Sequence, residues 1–187
     1  MYSKYTGVIL KKHPLGEADE LLTIFTKETG KLRVKAVSSR KIRSRLAGHL
    51  QSLNEIQFEV AGRGSLPVLI SVRGTRLNNY LRENLKKFAY ALIGAETLYR
   101  LSPDRQEQPE AYENLIRFFV ELGETRLEND CLRKFQIRLL QIMGFGVPPG
   151  ISENNIDNQA LDGFMHDVLE RDIRSNAFLR EVTENNF

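Results

Sequence analysis

The sequence predicts an α+β protein, with a small all-β domain over residues 1–80 followed by an all-α domain over 81–187. Two features change together near residue 80. Up to about residue 77, short apolar runs alternate with turn signals, and from residue 81 the apolar residues recur with a helical period. The charge also changes sign. Residues 1–80 hold 14 Lys and Arg against 6 Asp and Glu, and residues 81–187 hold 13 against 18, so parts of +8 and −5 make up the net +3. The basic part is the candidate for contact with a polyanion.

Five strands are expected in the first domain, at about 5–12 (YTGVILKK), 20–26 (ELLTIFT), 31–38 (KLRVKAVS), 54–61 (NEIQFEVA) and 66–76 (LPVLISVRGTR). Thr29-Gly30 and Gly62-Arg63-Gly64-Ser65 have the composition of tight turns. Five strands in so short a stretch suit a small barrel such as the OB-fold, which nearly closes its sheet and offers one face to oligonucleotides. An SH3-like barrel fits the strand count nearly as well.

The second domain opens with a helix over about 82–101, on which Leu85, Phe88, Leu92, Ala95 and Tyr99 form an apolar stripe before Ser102-Pro103 stops it. Pro109, suited to a first helical turn, starts a second helix to about 122 that buries Leu115, Phe118, Phe119 and Leu122, and Gly123 closes it. A third, over about 126–143, carries Leu127, Cys131, Phe135, Leu139 and Ile142 on one face and ends at Gly144, Gly146 and Pro148-Pro149. Residues 147–160 are polar and rich in Asn, Gly and Pro, a loop that leads to a last helical segment over about 161–182.

Composition excludes several classes of protein. Hydrophobic residues at 41% and charged residues at 27% are those of a packed globular chain, not of a disordered one. No apolar run approaches the roughly 18 residues of a membrane span, and the N-terminus lacks the apolar core of a secretory signal, so a soluble, cytoplasmic protein without membrane partners is expected. The single cysteine, Cys131, rules out an intramolecular disulfide or a multi-cysteine zinc site within this chain, and its place on a helix stripe is that of a buried thiol, not a nucleophile. His13, His49 and His166 stand apart from other metal-ligand residues, and Gly62-Arg63-Gly64 joins two strands instead of opening a nucleotide-binding helix. With no phosphate loop and no paired nucleophile and base, the chain is expected to be neither an enzyme nor a holder of a metal or cofactor.

The stretch KLRVKAVSSRKIRSR at 31–45 carries Lys31, Arg33, Lys35, Arg40, Lys41, Arg43 and Arg45, and no acid occurs between Thr29 and Asn54. Lys31, Arg33 and Lys35 alternate with Leu32, Val34 and Ala36, so a strand sets the cations on one solvent-facing side. The serines and cations from Ser38 to Arg45 suit contact with phosphates more than readout of base edges. A purely solvating face, balanced by Glu55 and Glu59 on another strand, is the competing reading. Tyr2, Tyr5 and Phe25 lie on or near the strands without a pattern that assigns base stacking, while Phe58 belongs to the core by its alternation.

The order of these features resembles the RecO family of DNA repair proteins. The opening YTGVILKKHPLGEADELLTIFTKETGKL is similar to that family's N-terminus, with its turn at Gly16-Glu17-Ala18-Asp19 and a second at Thr29-Gly30-Lys31. The likeness continues through SSRKIRSRLAGHLQSLNEIQFEV, GRGSL and LRENLKKFAYALIGAETLYRL to about residue 146. The resemblance implies an N-terminal OB-fold followed by a helical domain in a bacterial, nucleoid-associated protein. Such a protein binds and anneals single-stranded DNA, also meets double-stranded DNA, and works with RecR and single-strand-binding protein. Many members carry a four-cysteine zinc module and further helices where this chain has the loop at 147–160, so an abbreviated member without zinc is expected. Two other readings stay open: an adaptor whose helical lobe grips an acidic or apolar peptide, and an RNA-binding OB protein.

Overall fold

The computed structural model describes residues 2–41, 48–62, 64–169 and 173–184. The chain divides into two compact units, Met1–Asn78 with Pro103–Pro109, and Asn79–Ser102 with Glu110–Phe187. A segment between two helices in sequence thus belongs with the strands.

The first unit is a closed barrel of β1 (Tyr2–Leu15), β2 (Asp19–Thr26), β3 (Gly30–Ala36), β4 (Glu55–Ala61) and β5 (Val68–Arg76) in the order β1-β2-β3-β5-β4, with β1 also paired to β4. This is the five-stranded OB-fold. All neighbours are antiparallel except β3 and β5, whose parallel contact is the pair Lys35 and Val68, supported by the Lys35 N–H donating to the Pro67 carbonyl at 2.9 Å. Alternation fills the interior with Ile9, Leu22, Ile24, Leu32, Val34, Ile56, Phe58, Val60 and Leu69, onto which Tyr5 and Val72 pack. The β2–β3 turn is tied by Thr26, whose hydroxyl donates to the Gly30 carbonyl at 2.9 Å and accepts from the Thr29 N–H at 3.1 Å.

The second unit contains α1 (Asn79–Arg82), α2 (Leu85–Leu101), α3 (Pro109–Glu124), α4 (Glu128–Ile142), α5 (Asn158–Leu169) and α6 (Ser175–Glu184). The Asn84 side chain caps α2 by accepting from the Lys87 N–H at 3.0 Å. Here the structure corrects three expectations. The expected stripe of α2 is only part of its buried surface: Ala95 is buried, Phe88, Leu92 and Tyr99 are half-buried and Leu85 is exposed, while Ala89, Tyr90, Ala91, Ile93, Gly94, Thr97 and Leu98 are buried as well, because α2 is a central helix covered on several sides. Leu127, placed on the buried face of α4, is 65% exposed and lies just before that helix begins. The last helical segment is two helices, α5 and α6.

Four aromatic and sulfur groups meet where α3 crosses α4. Phe118 stacks on Phe135 with ring centres 4.5 Å apart and touches Phe119 at 5.8 Å, and the Cys131 thiol lies 4.0 Å from the Phe118 carbonyl. Burial is the main reason that the Cys131 thiol is pushed up to about 11, which keeps it protonated and unreactive at neutral pH.

Glu96 on α2 holds the start of α6. Its carboxylate accepts from the Ser175 N–H at 2.8 Å, the Ser175 hydroxyl at 2.7 Å, the Arg174 N–H at 3.1 Å and Arg100 Nε at 3.0 Å. Burial acts to raise the pKa of this carboxyl, but the donors from Ser175, Arg100 and Arg174 together outweigh it and hold the group below the ordinary 4.5. A depressed folded-state pKa gives stability that is present above the unfolded pKa and lost as pH falls through the folded one. Glu96→Ala is therefore expected to cost about 2 kcal/mol at neutral pH, as loss of hydrogen bonds to a charged group does. The gap in melting temperature between wild type and variant should persist at pH 6 and close at pH values below the ordinary glutamate range. A gap independent of pH would mean that the side chain acts through packing alone.

Candidate nucleic-acid interface

Strand register sets which cations share a surface. On β3 the inward residues Leu32, Val34 and Ala36 are buried and the outward ones are Lys31, Arg33 and Lys35, as the alternation predicts. These stand opposite Phe25, Thr23 and Leu21 of β2. On the other side of β2, Thr23 pairs with Lys11 and Leu21 with His13 of β1. Two cross-strand rows result, Lys11–Thr23–Arg33 and His13–Leu21–Lys35, whose side chains share one face.

Lys11 reaches that face through a bulge. The register of β1 against β2 shifts between Ile9 and Lys11, which makes Leu10 an extra residue. Had the register of Ile9 run on without that shift, Lys11 would oppose Leu22, whose side chain is inside the barrel. The pair Lys11-Lys12 gives no sign in sequence of which lysine faces out, so the sequence does not single out Lys11, and His13, expected at the surface or in a turn, is exposed on the strand.

At one end of the face, Asp19 organises the start of the basic segment. Its carboxylate accepts from the Ser38 N–H at 2.8 Å and lies 3.0 Å from Lys35 Nζ. The Ser38 amide first and Lys35 second hold its carboxyl below the usual aspartate value. Ser38 turns the chain with φ at +55°, after which the Arg40 N–H donates to the Ala18 carbonyl at 3.0 Å and Arg40 Nη1 to the Gly16 carbonyl at 3.2 Å. Buried Ser39 donates to Glu20 at 2.8 Å, and Glu20 also pairs with Lys12 at 3.1 Å. Residues 38–41 are thus fastened along the β1–β2 turn with Arg40 and Lys41 exposed to solvent. Arg43 and Arg45 lie outside the described residues.

At the other end the outward face is not open to solvent in the way the alternation suggests. Lys31 is only 12% exposed and pairs with Asp104 at 3.3 Å, while Arg33, 56% exposed, lies 3.7 Å from the same carboxylate. Asp104 forms a parallel bridge with Lys31, and the Arg105 N–H donates to the Lys31 carbonyl at 2.9 Å. The balancing acids are therefore Asp19 and Asp104, not Glu55 and Glu59. Glu55 is paired with Arg76 at 4.0 Å, and Glu59 accepts from the Ser71 hydroxyl at 3.0 Å. Of the aromatics, Phe25 is fully buried, Tyr5 is half-buried and packs on Phe58 with ring centres 5.6 Å apart, and Tyr2 is 75% exposed.

The helical unit holds a separate cleft of about 370 Å³, whose lining includes Ile93, Leu132, Arg133, Met165, His166 and Arg180. Arg133 is gripped by Asp162 at 2.5 and 2.9 Å. Among the described residues no cluster of His, Cys, Asp and Glu is arranged to hold a metal ion, and no helix is long and apolar enough to cross a membrane.

Comparison with known proteins gives matches along both parts of the chain. Residues 1–77 match the family described as recombination protein O N terminal, and residues 82–148 match recombination protein O C terminal. The chain is 30% identical over 140 residues to the DNA repair protein RecO of Symbiobacterium thermophilum, an overlap of 74% of this chain and 55% of that protein. It is 28% identical over 142 residues to the DNA repair protein RecO of Dehalococcoides mccartyi strain CBDB1, covering 76% and 56%. For the protein of the same name from Roseiflexus sp. strain RS-1 the identity is 29% over 139 residues, covering 74% and 49%. The chain spans about half the length of the curated relatives it matches.

Proposed function

From the premise that this chain belongs to the RecO family of DNA repair proteins, as matches to both of that family's models establish, we propose that its barrel binds single-stranded DNA through Lys11, Arg33, Lys35, Arg40 and Lys41, continuing to Arg43 and Arg45. The observation that carries this reading is the fastening of residues 38–41 along the β1–β2 turn, which adds Arg40 and Lys41 to the cations already on the sheet. Lys31 is nearly buried and paired with Asp104 at 3.3 Å. Duplex DNA, which offers the same phosphates, binds by the same charges.

The chemistry is neutralisation, not bond making. Cations that displace condensed counterions bind the backbone without regard to sequence, and screening of two strands at once lowers the repulsion that keeps complementary strands apart. Annealing and recombination mediation then proceed without a catalytic residue. RecR and single-strand-binding protein are the partners this reading assigns, and the bacterial cytoplasm, at the nucleoid, is the compartment.

The test is fluorescence anisotropy of a labelled single-stranded oligonucleotide across a salt series. Wild type should show log K falling with log salt by about 0.7 for each phosphate contact. An Arg40→Glu, Lys41→Glu and Arg43→Glu triple variant should bind more weakly on every sequence, with a slope shallower by about 2. Binding insensitive to salt would overturn the electrostatic mechanism. The helical cleft favours a second reading, an adaptor that holds an acidic or apolar peptide, since both aliphatic residues and Arg133 and Arg180 line it. Peptide binding by a wild type that ignores DNA would establish that reading instead.

A further inference from the structure

The segment between α2 and α3 gives the barrel more than the carboxylate of Asp104. It completes a cavity of about 390 Å³ lined by Lys31 and Arg33 of β3, Gly64 and Ser65 of the β4–β5 turn, and Asp104 and Arg105. Three of these six residues are cations and one is an acid, so the cavity is lined with an excess of positive charge.

The cavity is a built feature. The Arg105 N–H is bonded to the Lys31 carbonyl, and its guanidinium donates to the Gly64 carbonyl, which ties the segment to the β4–β5 turn. Arg105 holds φ at +56°, a conformation that non-glycine residues adopt only where the surroundings enforce it. One bond to Gly64 uses part of a guanidinium with five N–H donors, and the rest can meet an oxyanion. Asp104 already shows where an anion sits. Its two oxygens approach Lys31 at 3.3 Å and Arg33 at 3.7 Å, the second longer than a hydrogen bond, and its side chain is 53% exposed.

We propose that this cavity is a phosphate site for one phosphodiester of a nucleic-acid backbone, held by Arg105, Arg33 and Lys31, and that Asp104 is its built-in competitor. An incoming phosphate displaces the loosely held carboxylate toward solvent and takes over both cations. The inference rests on the proposed DNA binding and deepens it. It adds Arg105, which lies outside the barrel's own stretch of sequence, and it makes Asp104 a residue that weakens binding.

The experiment compares wild type, Asp104→Asn and Arg105→Ala for binding to a labelled single-stranded thymidine oligonucleotide across a potassium chloride series, with melting temperatures recorded for each. Asp104→Asn should bind several-fold more tightly. Arg105→Ala should bind about tenfold more weakly, with a salt slope shallower by about 0.7 to 1. If Asp104 were only a structural ion-pair partner, Asp104→Asn would melt earlier and bind no better. That result, with wild type still binding, overturns the phosphate site and leaves the DNA reading standing. If wild type fails to bind DNA, the DNA reading falls, and titration with inorganic phosphate decides the site. Amide shifts at Gly64, Ser65 and Arg105 that vanish in Arg105→Ala sustain an anion site, and their absence in wild type overturns it.

Discussion

Gly30→Ala is expected to destabilise the barrel unit by about 3 kcal/mol or more, against roughly 1–2 kcal/mol for Gly16→Ala. The two glycines have nearly the same backbone, with φ at +67° and +69°. In that left-handed region an L side chain costs roughly 1–2 kcal/mol, so this part of the loss is common to both. Their surroundings differ. A Cβ at Gly30 would stand 1.9 Å from the Gln106 carbonyl oxygen, whereas one at Gly16 meets nothing within 4 Å. Because the obstruction is backbone, relief requires moving the 103–106 segment and loosening the bond from Arg105 to Lys31, and overpacking of this kind adds roughly 1–3 kcal/mol. Urea denaturation of the two variants is the check. Equal losses would mean that Gln106 does not pack on Gly30 in the folded protein.

Phe118→Ala should cost the helical unit about 3–5 kcal/mol, the range for removing a buried aromatic ring. Phe118 is completely buried, and its ring occupies the space that a side chain at Gly94 would need, with Cε1 2.4 Å from the Cβ position. This contact makes the sign of a second substitution depend on the first. Gly94→Ala alone forces the ring to shift and is expected to destabilise. In the Phe118→Ala background the added methyl enters the vacated space and replaces a helix-interior glycine, which is about 0.8–1 kcal/mol less favourable there than alanine. The double variant should therefore be more stable than Phe118→Ala by itself. Denaturation of all four proteins of the cycle measures the coupling, and additive losses would show that the two sites do not touch.

The inward and outward residues of β3 were legible because a strand has period two and Leu32, Val34 and Ala36 are interrupted only by cations. The stripe on α2 was not, since a helix covered on several sides has no single apolar face and is marked instead by small residues such as Ala89, Ala91, Gly94 and Ala95. The Lys11 position turned on one extra residue in β1, which period-two reasoning cannot locate. The competing reading looks for balancing acids at Glu55 and Glu59, whose alternation marks them as sheet residues, whereas Asp19 and Asp104 are the acids found beside the basic strand. Asp104 and Arg105 lie in a linker between helices, far along the chain, and only the folded barrel brings them beside Lys31. Asp19 was noticed as a turn residue, yet its hold on Ser38 and Lys35 depends on the β2–β3 register.

The placement of Pro103–Pro109 with the strands bears on how such a protein is inherited. Neither unit is encoded by one uninterrupted stretch of gene, since the barrel's final piece lies between the codons for α2 and α3. A product ending after Asn78 would lack Asp104, Arg105 and Gln106 and would leave Gly30 and Lys31 uncovered. A product starting at Asn79 would carry that strip without the strand it pairs with. A cassette that keeps this barrel whole must therefore run on through Pro109 and carry α1 and α2 with it.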